Sequence, residues 1–343
     1  MIKVYPDSKI YVYCPAGLVT GGAELLHQLV SFLNDNDRNA YIVYCGDKRH
    51  VLPDDYKCYN NKIAESVVND EKNIEVFSEV FFEYVYNNNL TQKFFWWLSV
   101  DNFYLCSARF LALKDLFRFD MSLGFKALLK RIYFLFFRHK DFPTKIISIN
   151  MLRKMNVVNG YQSEYAQNYL QKMGFKEVVA LKDFINIDYL NSDFDSRNRK
   201  NIILFNPKKG FSFTKKIILK TPDLQWIPIQ GMSRRQVIDL MGEAKLYVDF
   251  GNHPGKDRLP RECAANGCCI ITGMRGSAAF FEDVMIPNKY KFDEYKSSIS
   301  DIVKTIRWTL DNYDVAISDF QMYRTKISLE KKEFENQISR IFL

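Results

Sequence analysis

Short apolar runs alternate with amphipathic segments along most of this chain, and the alternation restricts the fold more than any single motif does. A strand-like run at 9–14 is followed by a helical pattern at 21–34 and a second strand-like run at 40–45. A strand, a helix and a strand in that order predict a parallel sheet with helices against its faces. The second half of the chain repeats the order, so we expect two α/β domains.

The remaining elements follow the same periodicities. Further strands are predicted at 93–98, 145–149, 156–159, 202–205, 224–229, 246–250 and 268–272, and further helices at 163–173, 213–219, 233–241, 260–266 and 297–343. A chain of 343 residues exceeds one typical core, and a polar stretch at 191–200 places the linker at 183–200. The predicted division is a first domain at 1–183, a second at 184–315, and a terminal segment at 316–343 that crosses back onto the first.

The composition is that of a folded globular protein. Hydrophobic residues make up 47% of the chain and include 28 Phe and 20 Tyr, which argues against intrinsic disorder. The seven cysteines are odd in number and form no C-x-x-C pair, so neither a disulfide framework nor a zinc knuckle is indicated. The first residues lack the pattern of a secretory signal, and we expect a cytoplasmic protein.

Two loops after predicted strands carry residues suited to a ligand, because open α/β sheets bind ligands at the carboxyl ends of their strands. Gly21 and Gly22 permit close approach to the backbone, or they form a tight turn capped by Thr20. Their spacing is not G-x-G-x-x-G, which argues against a nicotinamide dehydrogenase. Lys208 and Lys209 could meet a diphosphate, or they are solvated lysines of a surface turn.

A third loop, at 249–262, is the most informative. It crowds Gly, His, Lys, Asp and Arg between two apolar strands, and the following strand leads to a second small-residue turn at 275–278. Loops that carry function on a rigid scaffold have this composition. The alternative is a solvated loop followed by an ordinary helix.

Residues 21–24 (GGAE) and 260–271 (PRECAANGCCII) resemble motifs of bacterial GT-B glycosyltransferases of surface-polysaccharide synthesis. The resemblance spans both predicted domains. It implies two Rossmann-like domains facing a cleft, with the acceptor in the first domain and the nucleotide-sugar in the second. The activity it implies is transfer of a sugar from a nucleotide-diphosphate sugar to a glycan or lipid-linked glycan acceptor.

The same resemblance implies roles for individual residues. Glu262 would accept hydrogen bonds from the ribose hydroxyls, and Lys208 or Lys209 would neutralise the leaving diphosphate. Backbone amides of a small-residue turn would meet the phosphate oxygens, and a loop after another strand would lie near the base. The other donor-binding residues on this basis are Gly21, Gly22, Gln230, Met232, Gly276, Ser277 and Ala278.

Many retaining members of that family carry a second glutamate eight positions before the first, where this chain has Pro254. His253, Asp257 or Arg258 would replace it in holding the donor. His253 and Asp257 are therefore candidate catalytic residues and Arg258 is a candidate donor-binding residue, while the retaining or inverting outcome stays open.

An inverting enzyme needs a general base that removes the proton of the acceptor hydroxyl. Asp101 is the candidate, because it ends the aromatic strand-like run at 94–100. Trp96 and Trp97 of that run are candidates to stack on an acceptor sugar. Alternatively, Asp101 caps the next helix.

No metal or other cofactor is expected. Asp193 and Asp195 have the D-x-D spacing of metal-dependent transferases, but they lie in the predicted linker rather than after a core strand. Cys268 and Cys269 are adjacent on a strand, so their side chains point to opposite faces and do not easily share a metal.

A basic, aromatic stretch at 105–145 contains nine basic and three acidic residues, a net charge of +6 out of the chain's +8. It has no apolar run of the roughly 20 residues needed to span a bilayer. It could lie on an anionic membrane surface, which suits a peripheral enzyme with a lipid-linked acceptor. The alternative is a core-facing helix pair, and no motif accompanies the charge that would indicate nucleic acid.

Two other functions fit the same residues. A nucleotide-sugar epimerase of this architecture would bind UDP-sugar and need no acceptor. A non-catalytic sugar-binding or scaffold subunit would keep the site without transferring a sugar.

Overall fold

The computed structural model describes residues 1–46, 52–137, 146–190 and 198–343. The chain divides into two compact units: unit 1 contains Met1–Asp183 and Glu333–Leu343, and unit 2 contains Phe184–Lys332. Each unit is built on a parallel sheet. The predicted α/β fold with two Rossmann-like domains is confirmed.

Unit 1 has six parallel strands in the order β2-β1-β3-β4-β5-β6, so the direction of strand addition reverses between β1 and β3. The strands are β1 (Lys9–Pro15), β2 (Asn39–Cys45), β3 (Ile74–Ser78), β4 (Gln92–Trp97), β5 (Val157–Tyr161) and β6 (Val178–Ala180). The helices are α1 (Gly21–Asp35), α2 (Val100–Ser107), α3 (Leu113–Leu116), α4 (Met121–Phe137), α5 (Ile149–Lys154) and α6 (Glu164–Met173), with 3₁₀ segments at Asp54–Tyr59 and Glu79–Tyr86.

Unit 2 has four parallel strands in the order β10-β9-β7-β8. They are β7 (Lys200–Phe205), β8 (Gln225–Pro228), β9 (Ala244–Asp249) and β10 (Cys269–Thr272). The helices are α7 (Phe211–Ile218), α8 (Arg234–Glu243), α9 (Arg258–Ala265), α10 (Ile299–Asp311), α11 (Tyr313–Ala316) and α12 (Gln321–Phe342), with 3₁₀ turns at Ile187–Tyr189, Ser277–Ala279, Asn288–Tyr290 and Ile317–Phe320. Residues of α12 from Glu333 onward belong to unit 1, whereas the sequence placed this return at 316.

Serine side chains fix the start of several helices. The hydroxyl of Ser163 accepts a hydrogen bond from the backbone N–H of Ala166 at the start of α6. Ser233 and Gln236 form a reciprocal capping box at the start of α8. These local bonds satisfy backbone donors that a helix start otherwise leaves unpaired, and the sequence placed both starts within one residue.

Strand β3 escaped prediction because its second residue is acidic. The Glu75 carboxylate is buried, and it accepts hydrogen bonds from the Tyr13 hydroxyl at 2.6 Å and the Asn88 amide at 3.0 Å. The Lys93 ammonium lies 3.2 Å from the same carboxylate. A charge that is paired and hydrogen-bonded can occupy a core position, so apolar periodicity alone does not detect such a strand.

The predicted strand at 145–149 is wrong. Within the described part of that range, Ile147 forms an isolated bridge with Leu111, and α5 begins at Ile149. Ser148 explains the helix start, because its hydroxyl accepts a hydrogen bond from the backbone of Met151. A capped short helix therefore replaces the expected strand.

Candidate functional site

Four loops of unit 2 meet at the carboxyl-terminal edge of its sheet, because its strands are all parallel. They follow β7, β8, β9 and β10, and together with the start of α9 they carry all the donor-binding residues that the sequence assigned to the second domain. Lys208, Gln230 and Met232 are exposed, and Lys209 is half-buried. The edge therefore presents ammonium groups to solvent beside polar and apolar side chains.

The loops after β7 and β9 pack against each other without room for side chains at two glycines. Gly210 has a φ of +64°, and a Cβ added there would lie 2.3 Å from the carbonyl oxygen of Phe250. A Cβ at Gly251 would lie 2.6 Å from the Cβ of Lys209. This packing places the Lys209 ammonium 2.7 Å from the carboxylate of Asp257.

The loops after β9 and β10 are also joined. His253 and Gly276 form a parallel bridge, and the backbone N–H of Ser277 donates to the carbonyl oxygen of His253 at 2.9 Å. The Ser277 hydroxyl donates to the carbonyl oxygen of Gly255 at 2.6 Å. The expectation that the Ser277 amide meets a phosphate is therefore wrong, since that amide holds the neighbouring loop. Ala278 is fully buried, whereas Gly276 is partly exposed.

Asp249, His253 and Asp257 converge at the base of the β9 loop. The Tyr247 hydroxyl and the backbone N–H of Gly251 each donate to the Asp249 carboxylate at 2.7 Å, and the Nε2 atom of His253 lies 3.5 Å from it. Burial opposes ionisation of Asp249, but these neighbours outweigh it and hold its pKa below the usual value. Burial likewise opposes protonation of His253, but the two aspartates outweigh it and raise the pKa of His253.

Arg258 and Glu262 lie one turn apart on α9, so they share a face of that helix. Glu262 is buried, with 7% of its surface exposed, and Arg258 is partly exposed. Pro260 is tolerated because it lies in the first turn, where its missing N–H has no intrahelical partner. Arg258 and Glu262 thus lie beside the β9 loop.

Two further cations, Lys256 in the β9 loop and Arg261 on α9, have a structural role that the sequence did not reveal. The Lys256 ammonium and the Arg261 guanidinium lie 2.5 Å and 2.8 Å from the carboxylate of Glu330 on α12. All three side chains are buried. No local pattern could have shown this cluster, because Glu330 follows its partners by 74 and 69 residues.

Trp96 and Trp97 do not form an acceptor surface. Trp96 is fully buried, its indole N–H donates to the carbonyl oxygen of Leu181 at 2.7 Å, and its ring stacks on Phe334. Trp97 has 1% of its surface exposed and donates to the Asn159 side chain at 3.0 Å. Both indoles belong to the core of unit 1, so the prediction that they stack on a sugar is wrong.

Asp101 lies in the first turn of α2 rather than at the end of a strand. Ser99 is the N-cap, so Asp101 is not the capping residue either. Its carboxylate has 8% exposure and accepts a hydrogen bond from the Tyr165 hydroxyl at 2.9 Å. This position explains Asp101 as a negative charge near a helix N-terminus and gives no support to a role as general base.

The switch point of unit 1, between β1 and β3, carries Gly21, Gly22 and an acidic residue that the sequence analysis missed. Gly21 and Gly22 form the first turn of α1, and a Cβ on Gly22 would meet nothing closer than a Leu98 side-chain atom at 3.8 Å. Glu79 directly follows β3 and accepts a hydrogen bond from the backbone N–H of Leu98 at 3.0 Å. Burial raises the pKa of Glu79 to about 7.

The remaining predictions concern metals and the basic stretch. Asp193 and Asp195, which have the D-x-D spacing, lie outside the described residues, as does the end of the basic stretch at 138–145. Cys268 and Cys269 are both buried, and the thiol of Cys268 lies 3.4 Å from the carbonyl oxygen of Met241. In the described part of the basic stretch, α4 buries one face and exposes another that is rich in aromatic residues.

No protein-family model matches this chain, and no curated protein sequence matches it. Solved structures do match. Sucrose-phosphate synthase from Thermosynechococcus elongatus has a TM-score of 0.64 at 9% identity, over 98% of this chain and 98% of that chain. HepE of Anabaena, solved with UDP-glucose, has a TM-score of 0.62 at 9% identity over 97% and 98% of the two chains. WaaG, a glycosyltransferase involved in lipopolysaccharide biosynthesis, has a TM-score of 0.53 at 10% identity over 97% and 98%.

The chain has the GT-B fold. At these identities the similarity is one of fold and carries no residue roles. Among the described residues of this GT-B protein, no helix is both long enough and apolar enough to cross a membrane.

A cavity of about 390 Å³ opens at the amino-terminal ends of β4 and β5, lined by Thr91, Lys93 and Asn156 among others. That edge of the sheet is opposite to the one where α/β folds bind ligands.

In this GT-B protein, the carboxyl-terminal edge of unit 2 combines three properties. It has ammonium groups on the β7 loop, a carboxylate on α9, and loops that pack closely against one another at glycines. Ammonium groups stabilise an anionic ligand, and a buried carboxylate accepts hydrogen bonds from hydroxyl groups. The arrangement suits a ligand that carries both a diphosphate and a sugar diol.

Proposed function

We propose that this protein is a glycosyltransferase that transfers a sugar from a nucleotide-diphosphate sugar to a glycan or lipid-linked glycan acceptor. The observation that carries the proposal is the placement of Lys208, Lys209, Arg258 and Glu262 at one edge of unit 2 in a chain whose whole length has the GT-B fold. Donor binding at the carboxyl ends of parallel strands follows the general rule for such sheets.

In this proposal the leaving diphosphate takes the place of Asp257 as the partner of Lys209. The carboxylate and the ammonium are 2.7 Å apart, and the Lys209 side chain is 37% exposed, so the ammonium can turn towards a ligand. Lys208 adds a second positive charge on the same loop. Fixed cations that stabilise charge on a leaving group lower the barrier to transfer, and in this scheme the transfer step needs no metal.

Glu262 would bind the ribose hydroxyls, and Gln230 and Met232 would lie near the base. Both loop residues are exposed, as a base-contacting surface requires. A uridine nucleotide is the first candidate, because HepE was solved with UDP-glucose. Retention or inversion at the sugar carbon stays open, since Asp101 is not placed as a base.

The acceptor proposal is a surface polysaccharide or its lipid-linked precursor, with unit 1 as the acceptor unit and α4 on the inner face of the membrane. It is supported by the role stated for WaaG in lipopolysaccharide biosynthesis and by the exposed aromatic face of α4. Basic residues of α4, Lys126 and Lys130, would meet anionic headgroups.

Thermal unfolding in the presence of UDP, GDP, CDP, dTDP, ADP and their sugars tests the donor site. We expect one nucleotide class to raise the melting temperature, because a ligand at 100 times its Kd stabilises the folded state by about 2.7 kcal/mol. Glu262→Ala should abolish most of that shift, since a charged group contributes about 1.5–3 kcal/mol per hydrogen bond. Glu282→Ala, an exposed glutamate of the same unit, should leave the shift unchanged.

The outcomes separate the three functions. If no nucleotide raised the melting temperature, the proposed donor site would be refuted. Turnover of the donor sugar without any acceptor would favour an epimerase, and nucleotide binding with no transfer to any glycan or lipid extract would favour a non-catalytic subunit. Transfer that depends on Glu262 would support the proposal.

A further inference from the structure

The cluster of Asp249, His253 and Asp257 has a geometry that the transfer scheme does not require. One ligating atom from each side chain lies within 4.8 Å of the other two. Asp249 is 2% exposed and His253 is fully buried. Two carboxylate oxygens and one imidazole nitrogen thus face one another in a site that is largely shielded from solvent.

The imidazole of His253 is the unexplained group. Within the part of the chain that the structure describes, neither of its ring nitrogens makes a hydrogen bond of normal geometry, and the nearest carboxylate oxygen, on Asp249, is 3.5 Å from Nε2. An unsatisfied buried polar group costs about 1–3 kcal/mol. A cation held between the nitrogen and the two carboxylates would remove that cost and balance their negative charge.

Lys209 supplies a positive charge at the edge of the cluster. Its ammonium lies 2.7 Å from the Asp257 carboxylate, and it is the most exposed member of the group. A cation that binds Asp257 would displace the Lys209 ammonium, which water can then solvate. Metal–ligand bonds of about 2.1 Å in a tetrahedral site imply ligand atoms about 3.4 Å apart. His253 and Asp249 are already 3.5 Å apart, and the other pairs, all within 4.8 Å, would have to close by about 1.4 Å at most.

We propose that Asp249, His253 and Asp257 bind one divalent cation. The ligand set of one imidazole and two carboxylates fits Zn²⁺ and Mn²⁺ better than Mg²⁺ or Ca²⁺, which prefer oxygen ligands alone. The ion would lie beneath the β9 loop, where it joins the end of β9 to the start of α9. This proposal shares the Lys209–Asp257 pair with the proposed transfer but does not rest on it. It revises the sequence-based expectation that the chain binds no metal.

Isothermal titration of tag-free, chelator-treated protein with Mn²⁺ and with Zn²⁺ tests the proposal. We expect one ion per chain for at least one of the two metals. His253→Gln and Asp257→Asn should each weaken binding by at least about tenfold, because mutation of even the outer-shell partners of a metal site typically costs that much. Lys209→Met should tighten binding several-fold, because it removes the competing ammonium. His27→Gln, which changes a buried histidine of unit 1, should leave binding unchanged.

Imidazole nitrogen shifts of protein labelled at its four histidines give a second measurement that needs no destabilising variant. Zn²⁺ should shift one ring nitrogen of a single histidine, and the affected signal should be absent in His253→Gln. Stoichiometric binding with that signature supports the site. No binding up to millimolar metal, or binding that persists in His253→Gln, would overturn it and leave a proton as the occupant of the imidazole.

Discussion

Backbone geometry at Gly276 excludes any side chain. Its φ is +62°, and an added Cβ would lie 2.0 Å from the carbonyl oxygen of His253. The same carbonyl accepts the backbone N–H of Ser277, so a side chain at 276 would separate the β9 and β10 loops. The sequence identified this glycine by resemblance, whereas its physical function is to let two loops touch.

Gly276→Ala should therefore lower both stability and nucleotide binding. We expect a loss of at least about 2 kcal/mol in the free energy of unfolding, because positive φ and a backbone clash add to each other. Urea denaturation and the nucleotide-dependent thermal shift measure the two effects. Gly242→Ala in α8, where a Cβ meets nothing within 4 Å, should be neutral or slightly stabilising. If Gly276→Ala and Gly242→Ala had the same stability and the same nucleotide-dependent shift, the steric role of Gly276 would be contradicted.

Glu79 is a carboxylate whose ionisation the fold opposes. Its side chain is buried, and the backbone N–H groups of Leu98 and Ser99 only partly offset the loss of water. Its pKa is raised from 4.5 to about 7. The folded state therefore binds a proton that the unfolded chain has already released between those two pH values.

The sign of the effect follows from that difference. Stability from Glu79 is fully present below pH 4.5 and is lost as pH rises to about 7, an amount of about 3 kcal/mol at 1.36 kcal/mol per pKa unit. We expect Glu79→Gln to flatten the pH dependence, so that its stability relative to the wild type increases between pH 5 and pH 8. Urea unfolding of both proteins at the two pH values measures this. If the two proteins differ in unfolding free energy by the same amount at both pH values, Glu79 does not titrate in this range.

Among the helices, α4 leaves an apolar stripe uncovered in the described structure. Phe125, Leu129, Ile132 and Phe136 follow one another at helical spacing, and their exposed fractions are 55%, 67%, 39% and 76%. Leu123 and Ala127, on the other side of the helix, are buried. The sequence left membrane binding and core packing as alternatives. In the structure one face of α4 packs in the core and the opposite face is exposed.

Replacing the stripe should remove membrane binding if α4 lies on the bilayer. We expect Leu129→Ser with Phe136→Ser to weaken binding to mixed phosphatidylcholine and phosphatidylglycerol vesicles by at least about tenfold, because burying each side chain contributes about 1.5–3 kcal/mol. Co-sedimentation at low and high salt measures this, and salt should weaken wild-type binding. Tyr295→Ser, at an exposed aromatic of unit 2, is the control. Wild-type binding by the double variant would contradict the proposal.

At the scale of the whole molecule, periodicity was sufficient to predict two parallel α/β units. Most strands carry apolar residues on both faces, and several of the helices between them, such as α1, α6 and α8, begin at serine or threonine caps. Both signals are local, so they can be detected in sequence. The errors arose where tertiary contacts changed the local preference, as in β3, whose buried carboxylate of Glu75 is paired by distant residues.

The sequence by itself determined the fold class and the loops that lie at the carboxyl-terminal edge of unit 2. It also determined the positions of Lys208 and Lys209 on one of these loops and of Glu262 on the helix that follows another, because these depend on short-range periodicity and strand order. Only the tertiary structure decided which side chains are accessible. It buries Trp96 and Trp97 in a core, ties the Ser277 amide to His253, and holds Lys256 and Arg261 on Glu330. Burial and charge pairing join residues far apart in the chain, and no local pattern of residues specifies them.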